Sequence, residues 1–310
     1  MPETDITSDL KPDPFGRIKE DETTMSKNNK GNKNQKSRRA NLPEVKGSPN
    51  ESAAVFPERK VTIHLVRHAQ GPHNLTHLPI KMRVNFVDPG LTDLGLAQST
   101  LLRSRFEPMN RITHILSSPM HRTLLTALVA FEPIIAKGLQ IVALPELREY
   151  GIAPCSTGSD MSLLLASLYS KAKVSRDDCI DASMVPAGWE QQHEGVDRAE
   201  WLQTRKRRAQ LVLEKLHALA VAATKAERGV WEGREVHQGR DVEILVVTHS
   251  GLIIDLEQND DAPSYQNAEY RSYRYPTRDE VENCGMPYYK LIETKESKKR
   301  VHKFAADKLE

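Results

Sequence analysis

The 310-residue chain carries 44 Lys and Arg against 42 Asp and Glu, a formal net charge of +2. Charges this evenly matched exclude a chain-wide positive field, so neither nucleic acid nor an anionic membrane is expected as the principal partner. Its three cysteines, Cys155, Cys179 and Cys284, are odd in number and far apart, which suits a reducing compartment; no apolar run approaches the roughly 20 residues of a bilayer span, and the expected location is cytosol or nucleus.

Residues 1–56 have too few apolar side chains to offset the entropy of ordering the backbone and read as a disordered polar and basic tail. Its Lys27 to Arg39 run carries only positive charge and reads as solvated, with a nuclear address or a polyanion tether as the alternative. At Val61-Thr62-Ile63-His64-Leu65-Val66 a β-branched apolar run predicts a buried central strand. Similar runs follow at Ile112 to Leu116 and Val242 to Val247, with a weaker one at Gln140 to Leu144. Between them, apolar residues at helical spacing predict helices over Leu94 to Phe106, Thr123 to Ala136, Ser162 to Lys173 and Arg198 to Glu227. The polar stretch Gly229 to Arg240 reads as a surface loop, and residues 296–310 as a charged C-terminal tail. Strands alternating with helices predict a three-layer α/β/α sandwich around a mostly parallel sheet, forming a single domain over residues 57–295.

Ligands of such sheets bind beyond the C-terminal ends of the strands. The first run leads into Arg67-His68-Ala69-Gln70-Gly71-Pro72-His73-Asn74, the second into Ser117-Ser118-Pro119-Met120-His121-Arg122, the weaker one reaches Glu149 with Glu146 as its rival, and the last leads into Thr248-His249-Ser250-Gly251. Taken singly, each has a bland reading: Ser118-Pro119 as a helix start, His249 as a satisfied strand-end histidine, Glu149 as a surface carboxylate. Together they set two arginines, two histidines and a carboxylate along one sheet edge. That set suits phosphoryl transfer, which is mostly positioning plus electrostatic stabilisation. Guanidinium groups grip phosphate oxygens bidentately, and imidazole is a nucleophile when neutral and a donor when protonated.

The Arg-His-Ala-Gln-Gly-x-His-Asn run resembles the opening signature of the histidine phosphatase superfamily, the phosphoglycerate mutase-like proteins. The resemblance continues through Leu91-Thr92-x-x-Gly95-x-x-Gln98, Ser117-Ser118-Pro119-x-x-Arg122-Thr123-x-x-Thr126-Ala127, Leu147-Arg148-Glu149 and Val247-Thr248-His249, spanning Val61 to Tyr275. Pro154 to Ser159 and Asn267 to Tyr273 look like segments of the fungal and plant branch. The resemblance implies a metal-independent phosphatase without cofactor that acts on a small phosphorylated substrate. It makes His68 the nucleophile, sets Arg67, Arg122 and His249 around the phosphate, and puts Glu149 in the position of proton donor. A nearby phosphate dianion favours the protonated form of a carboxyl, as that role requires. Asn74 as a neutral donor, and Ser118 at a helix N-terminus, complete the expected phosphate set.

Two departures stand out. The family commonly has two glycines after the second histidine, where this chain has Ser250-Gly251. The mutases proper carry a Glu-Gly pair just after the acid, which Tyr150 to Pro154 lacks, so hydrolysis is expected over phosphoglycerate-type mutation. A mutase and a catalytically weak phosphate-binding or regulatory protein stand as the alternatives. Substrate choice is expected to rest on residues 75–89 and 156–190, with Lys81, Arg83, Arg103 and Lys171 read as solvated charges. Neither the substrate nor the oligomeric state is read from the residues.

Overall fold

The computed structural model describes residues 55–172, 178–190, 198–236, 240–259 and 262–306. The tail expected over 1–56, with its basic run, lies outside them except for Val55 and Phe56. In chain order the elements are β1 (Val61–Arg67), α1 (Ile80–Val84), α2 (Asp93–Arg105), β2 (His114–Ser117), α3 (His121–Ala130), α4 (Glu132–Ile135), β3 (Ile141–Ala143), α5 (Met161–Ala172), β4 (Ile180–Asp181), α6 (Arg198–Thr224), β5 (Gly229–Trp231), β6 (Arg234–Val236), β7 (Val242–Thr248), α7 (Ser250–Glu257), β8 (Tyr270–Arg274), α8 (Arg278–Glu282), β9 (Ile292–Glu293) and α9 (Lys295–Ala306).

Seven strands form one sheet in the order β4-β3-β2-β7-β1-β8-β9. The first five are mutually parallel; β8 and β9 extend it antiparallel at one edge. Successive side chains of a strand point to opposite faces, and both faces here are covered. Val61, Ile63 and Leu65 of β1 and Ile244 and Val246 of β7 enter a core with Val212, Leu216 and Leu219 of α6. Val66, Leu245 and Val247 enter a second core with Leu102 of α2 and Leu124 and Leu128 of α3. The two cores give the three-layer α/β/α sandwich, and they explain why β1 and β7 carry apolar residues on both faces, interrupted within the runs by Thr62, His64 and Glu243.

Three expectations need correction. The helix predicted over Thr123 to Ala136 is two, α3 and α4, because Glu132-Pro133 restarts the helix and Pro133 supplies no N–H to continue the first. The stretch from Gly229 is no plain loop: β5 and β6 pair as a hairpin whose turn, Glu232-Gly233, has φ of 49° and 76°, the positive values that two-residue hairpin turns require. Trp231 is buried there and donates Nε1–H to the Lys215 carbonyl at 3.0 Å. Third, the charged residues from 296 begin as helix α9, held to β8 through the buried Ser297, whose Oγ accepts the Ser272 N–H at 3.0 Å, and through Arg300 stacked 4.0 Å over the Tyr270 ring. Among the described residues no helix is long and apolar enough to cross a membrane.

Candidate active site

Strand register assembles the site. Arg67 of β1 lies opposite Thr248 of β7, and Ser117 of β2 opposite Val247, so these three parallel strands end at nearly one level and their next residues emerge side by side. The His68 N–H donates to the Thr248 carbonyl at 2.9 Å and the Ser118 N–H to the Val247 carbonyl at 3.0 Å, extending the ladder one step. His68 and His249 are both buried, their rings 5.2 Å apart. Arg122 comes from the first turn of α3, and Thr126 one turn on accepts the Ala69 N–H at 3.0 Å, locking that helix to the loop after β1.

Hydrogen bonding fixes both tautomers. The Nδ1 of His68 faces the Ala69 carbonyl at 2.7 Å; a carbonyl only accepts, so Nδ1 carries the proton and Nε2 the lone pair. For His249 the arrangement is reversed. Arg122 Nη2 lies 3.2 Å from its Nδ1, and a guanidinium only donates, so Nδ1 holds the lone pair and Nε2–H donates to Ser118 Oγ at 2.9 Å. Burial, reinforced by Arg122, His73 and Arg67, holds His68 well below its ordinary pKa of 6.5. Burial followed by Arg122 and the neighbouring histidines does the same to His249. Both rings are therefore neutral at pH 7.

The remaining predicted residues are nearby, with different partners. Arg122 Nη1 donates to the Cys155 carbonyl at 3.0 Å, and Arg67 Nη1 to the Tyr265 carbonyl at 2.6 Å. Glu149 accepts the Tyr150 N–H at 2.9 Å, and its charge is the largest ionic influence on both Arg67 and Arg122. Its rival Glu146 is drawn elsewhere, pairing with Lys215 at 3.3 Å in a separate cleft of about 630 Å³ that Asp181, Glu232 and Arg234 also line. Ser118 is not a helix cap, since α3 starts three residues later; its hydroxyl serves His249. Asn74 Oδ1 is already engaged, accepting from the Gly71 N–H of its own loop at 3.1 Å and from the sequence-distant Asn267 Nδ2 at 3.4 Å. Of the cations expected to be solvated, Arg103 ties α2 to the Val129 carbonyl and Glu132. Arg83 is half-buried and close enough to depress His73.

Sequence reasoning quoted His73 without giving it a place. Its ring lies 5.3 Å from that of His68, and burial with Arg122, Arg67 and Arg83 lowers its pKa to about 2. Asn267 was also missed; its Nδ2 donates to the His68 carbonyl at 3.1 Å, and the Ala268 N–H donates to the same oxygen at 3.3 Å. Proximity to the motif was the available signal for His73, whereas for Asn267, 199 residues from His68, only the fold reveals the contact. Four buried nitrogens here have no hydrogen-bond partner among the described residues: Arg67 Nε, His73 Nδ1, Arg83 Nε and Arg122 Nε. Orphaned buried polar groups are costly, and an anion bound beside Arg67 and Arg122 would supply an acceptor for their Nε–H groups.

Burial of neutral rings carries a pH dependence. His64, His68, His73, His217 and His249 all have folded pKa values below the ordinary 6.5. As pH falls through about 6.5, the unfolded chain takes up protons that the folded one refuses, so stability declines toward acid; above that pH these rings contribute no slope. The melting temperature is expected to fall between about pH 6.5 and 5, before the carboxylates titrate. A flat or rising melting temperature over that interval would contradict the neutral buried rings.

Comparison with known proteins agrees with the motifs. The signature of the histidine phosphatase superfamily (branch 1) matches residues 63–163. A phosphoglycerate mutase-like protein of Arabidopsis thaliana is 39% identical over 90 residues, which are 26% of this chain and 33% of that protein; the match thus spans about a third of the curated relative. Similar solved structures include the ecdysone phosphate phosphatase of Bombix mori (15% identity, 69% of this chain and 89% of that one, TM-score 0.41) and a phosphoglycerate mutase of Bacillus anthracis (18%, 70% and 88%, TM-score 0.42). Likenesses at this level say nothing of the substrate. The superfamily match ends before Thr248-His249, which the pairing of β7 with β1 sets beside His68.

Proposed function

We propose that this chain, a relative of the histidine phosphatase superfamily over residues 63–163, hydrolyses a small phosphomonoester through a phosphohistidine on His68. One observation carries the reading: the Nδ1–H of His68 is spent on the Ala69 carbonyl, which leaves Nε2 as a neutral nucleophile among Arg67, Arg122 and His249. A deprotonated imidazole nitrogen beside two guanidinium groups suits attack on an anionic phosphorus centre and little else.

In the first step the Nε2 lone pair attacks phosphorus in line, the P–O ester bond breaks, and the leaving alkoxide takes the carboxyl proton of Glu149. In the second, water attacks phosphorus while Glu149, now a carboxylate, accepts the water proton; the P–N bond breaks and inorganic phosphate leaves. Arg67 and Arg122 hold the equatorial oxygens, their unpartnered Nε–H groups among the donors. His249 orients Arg122, accepting its Nη2–H, and offers Nε2–H through its contact with Ser118. Asn74 and Ser118 then act through neighbours: Asn74 shapes the loop that carries His68, and Ser118 fixes the ring of His249. Residues 1–56 stand in this reading as a tail outside the catalytic domain.

Phosphate release from para-nitrophenyl phosphate and a panel of sugar phosphates, in EDTA, tests the reading. Release is expected from the wild type; isomerisation of phosphoglycerate without net release would identify a mutase, and neither outcome a phosphate-binding protein. The Ser250-Gly251 departure has its own test. Ser250 is the half-buried first residue of α7, while a Cβ added at Gly251 would stand 2.5 Å from Glu149 Oε1. The position that has no room is thus the one where glycine is kept. Gly251→Ala displaces the carboxylate and is expected to lower kcat by about 10²-fold, the scale of an ångström misplacement, with a melting temperature close to wild type.

A further inference from the structure

Beside the buried cations, the two segments that carry Arg83 and Cys155 expose apolar side chains. Within residues 80–87, on and just after α1, Ile80, Met82, Phe86 and Val87 are exposed, Met82 by 54% and Val87 by 66%. On the segment that follows Glu149, Ile152 is 64% exposed, two residues before the turn Pro154–Ser156. The Asp88 N–H donates to the Pro154 carbonyl at 3.3 Å, which ties the two segments together. Each also reaches the site. The Cys155 carbonyl on one accepts from Arg122, and Arg83 on the other depresses His73. Exposed apolar side chains scattered singly need no explanation, but five on two short segments tied together beside a candidate binding site do. Small-molecule pockets commonly pair an apolar lining with a few convergent polar groups.

We infer that Ile80, Met82, Phe86, Val87 and Ile152 form a subsite for an apolar leaving group, so that the preferred substrate is an amphiphilic phosphomonoester, its phosphate on Arg67 and Arg122 and its hydrocarbon on this rim. The inference rests on the phosphatase reading and deepens it. Charge is complementary along the path: the rim itself carries only basic side chains, Lys81 and Arg83, and Arg83 Nε is a buried donor without a partner. An anionic head directed inward therefore meets Arg83 on the way to Arg67 and Arg122, with Asp88 and Glu149 the acids beside that path, while a neutral polyol such as a sugar would leave the apolar rim wet and its own hydroxyls unpaired.

The test compares n-butyl phosphate, n-octyl phosphate and glucose 6-phosphate as substrates of the full chain, each below the concentration at which micelles form. The efficiency kcat/KM is expected to rise by about tenfold from butyl to octyl phosphate, since four added methylenes are partly withdrawn from water, with glucose 6-phosphate the poorest of the three. Met82→Asp together with Val87→Asp should bring the octyl-to-butyl ratio close to one, while Val87→Leu should preserve it. Equal efficiency for butyl and octyl phosphate in the wild type, or preference for glucose 6-phosphate, would overturn the apolar subsite and leave the phosphatase reading intact. Calorimetric binding of octyl over butyl phosphate with no hydrolysis of either would keep the subsite and remove the phosphatase reading.

Discussion

His68→Ala is expected to abolish hydrolysis of every phosphomonoester that the wild type accepts, lowering kcat by at least on the order of 10⁴, the scale seen when a covalent nucleophile is deleted. The same variant should fail to retain label from a ³²P-labelled substrate, whereas quenched wild type should hold label that is lost in acid and kept in base, as a P–N bond demands. The expectation follows from geometry before chemistry. A histidine with both nitrogens bonded has no lone pair to offer, and His68 commits only Nδ1. It follows too from protonation. Burial, Arg122, His73 and Arg67 all favour the neutral ring, so in the free enzyme, which kcat/KM reports, the nucleophile stays competent as pH drops well below 6.5. An acid limb of kcat/KM near pH 6.5 attributable to His68 would contradict this, as would retention of base-stable label by the alanine variant.

How far the site was legible in the sequence depends on what kind of contact holds each part. The strands β1, β2, β3 and β7 were readable because burial on both faces concentrates Val, Ile and Leu in short runs, broken only by single polar residues such as Thr62, His64 and Glu243. The residues just past them followed, since parallel strands that end together bring His68, Ser118 and His249 to one crest. Strand β8 was not readable as a strand. Its Arg271 and Ser272 are buried: Arg271 is satisfied locally, Nε by Glu269 and Nη2 by the Pro263 carbonyl, whereas Ser272 depends on partners remote in sequence, its Oγ on His64 Nδ1 and its N–H on Ser297. Polar residues buried through long-range hydrogen bonds look like surface until the fold supplies those partners.

The motif Leu91-Thr92-x-x-Gly95-x-x-Gln98 illustrates the middle case, visible as a pattern but opaque in purpose. All three of its polar or small positions grip one residue, Gln70, in the loop after His68. Thr92 Oγ donates to Gln70 Oε1 at 2.8 Å, Gln98 Oε1 accepts the Gln70 N–H at 2.9 Å, and a Cβ at Gly95 would sit 2.1 Å from the Gln70 carbonyl oxygen. Helix α2 is thus a brace for the nucleophile loop. Its hydrogen bonds restrain the backbone that presents the Ala69 carbonyl to His68 Nδ1, and so help to set the tautomer on which the chemistry depends.

Arg122→Ala has the second largest expected effect, a loss of ~10²–10³ in kcat/KM, and its signature separates electrostatics from packing. Arg122 is almost fully buried, gives Nη1 to the Cys155 carbonyl and Nη2 to His249, and keeps Nε without a partner. Its removal deletes charge at the phosphate and frees the ring of His249 from the bond that fixes its tautomer. After burial itself, Arg122 is the strongest influence holding down the pKa of both His68 and His249. Its loss must therefore raise both. In the variant, the residual rate should fall off at a higher pH on the acid side than in the wild type, because His68 then protonates more readily and loses its lone pair. Lysine should not restore activity, since one flexible ammonium cannot span the Cys155 carbonyl and His249 Nδ1 in the fixed geometry of a guanidinium. Stability moves differently: the buried guanidinium is itself held at a desolvation cost, so the alanine variant trades a cavity for the relief of that cost and its melting temperature should change far less than its rate. A variant that lost activity and folding together, with an unshifted acid limb, would reduce Arg122 to a structural residue.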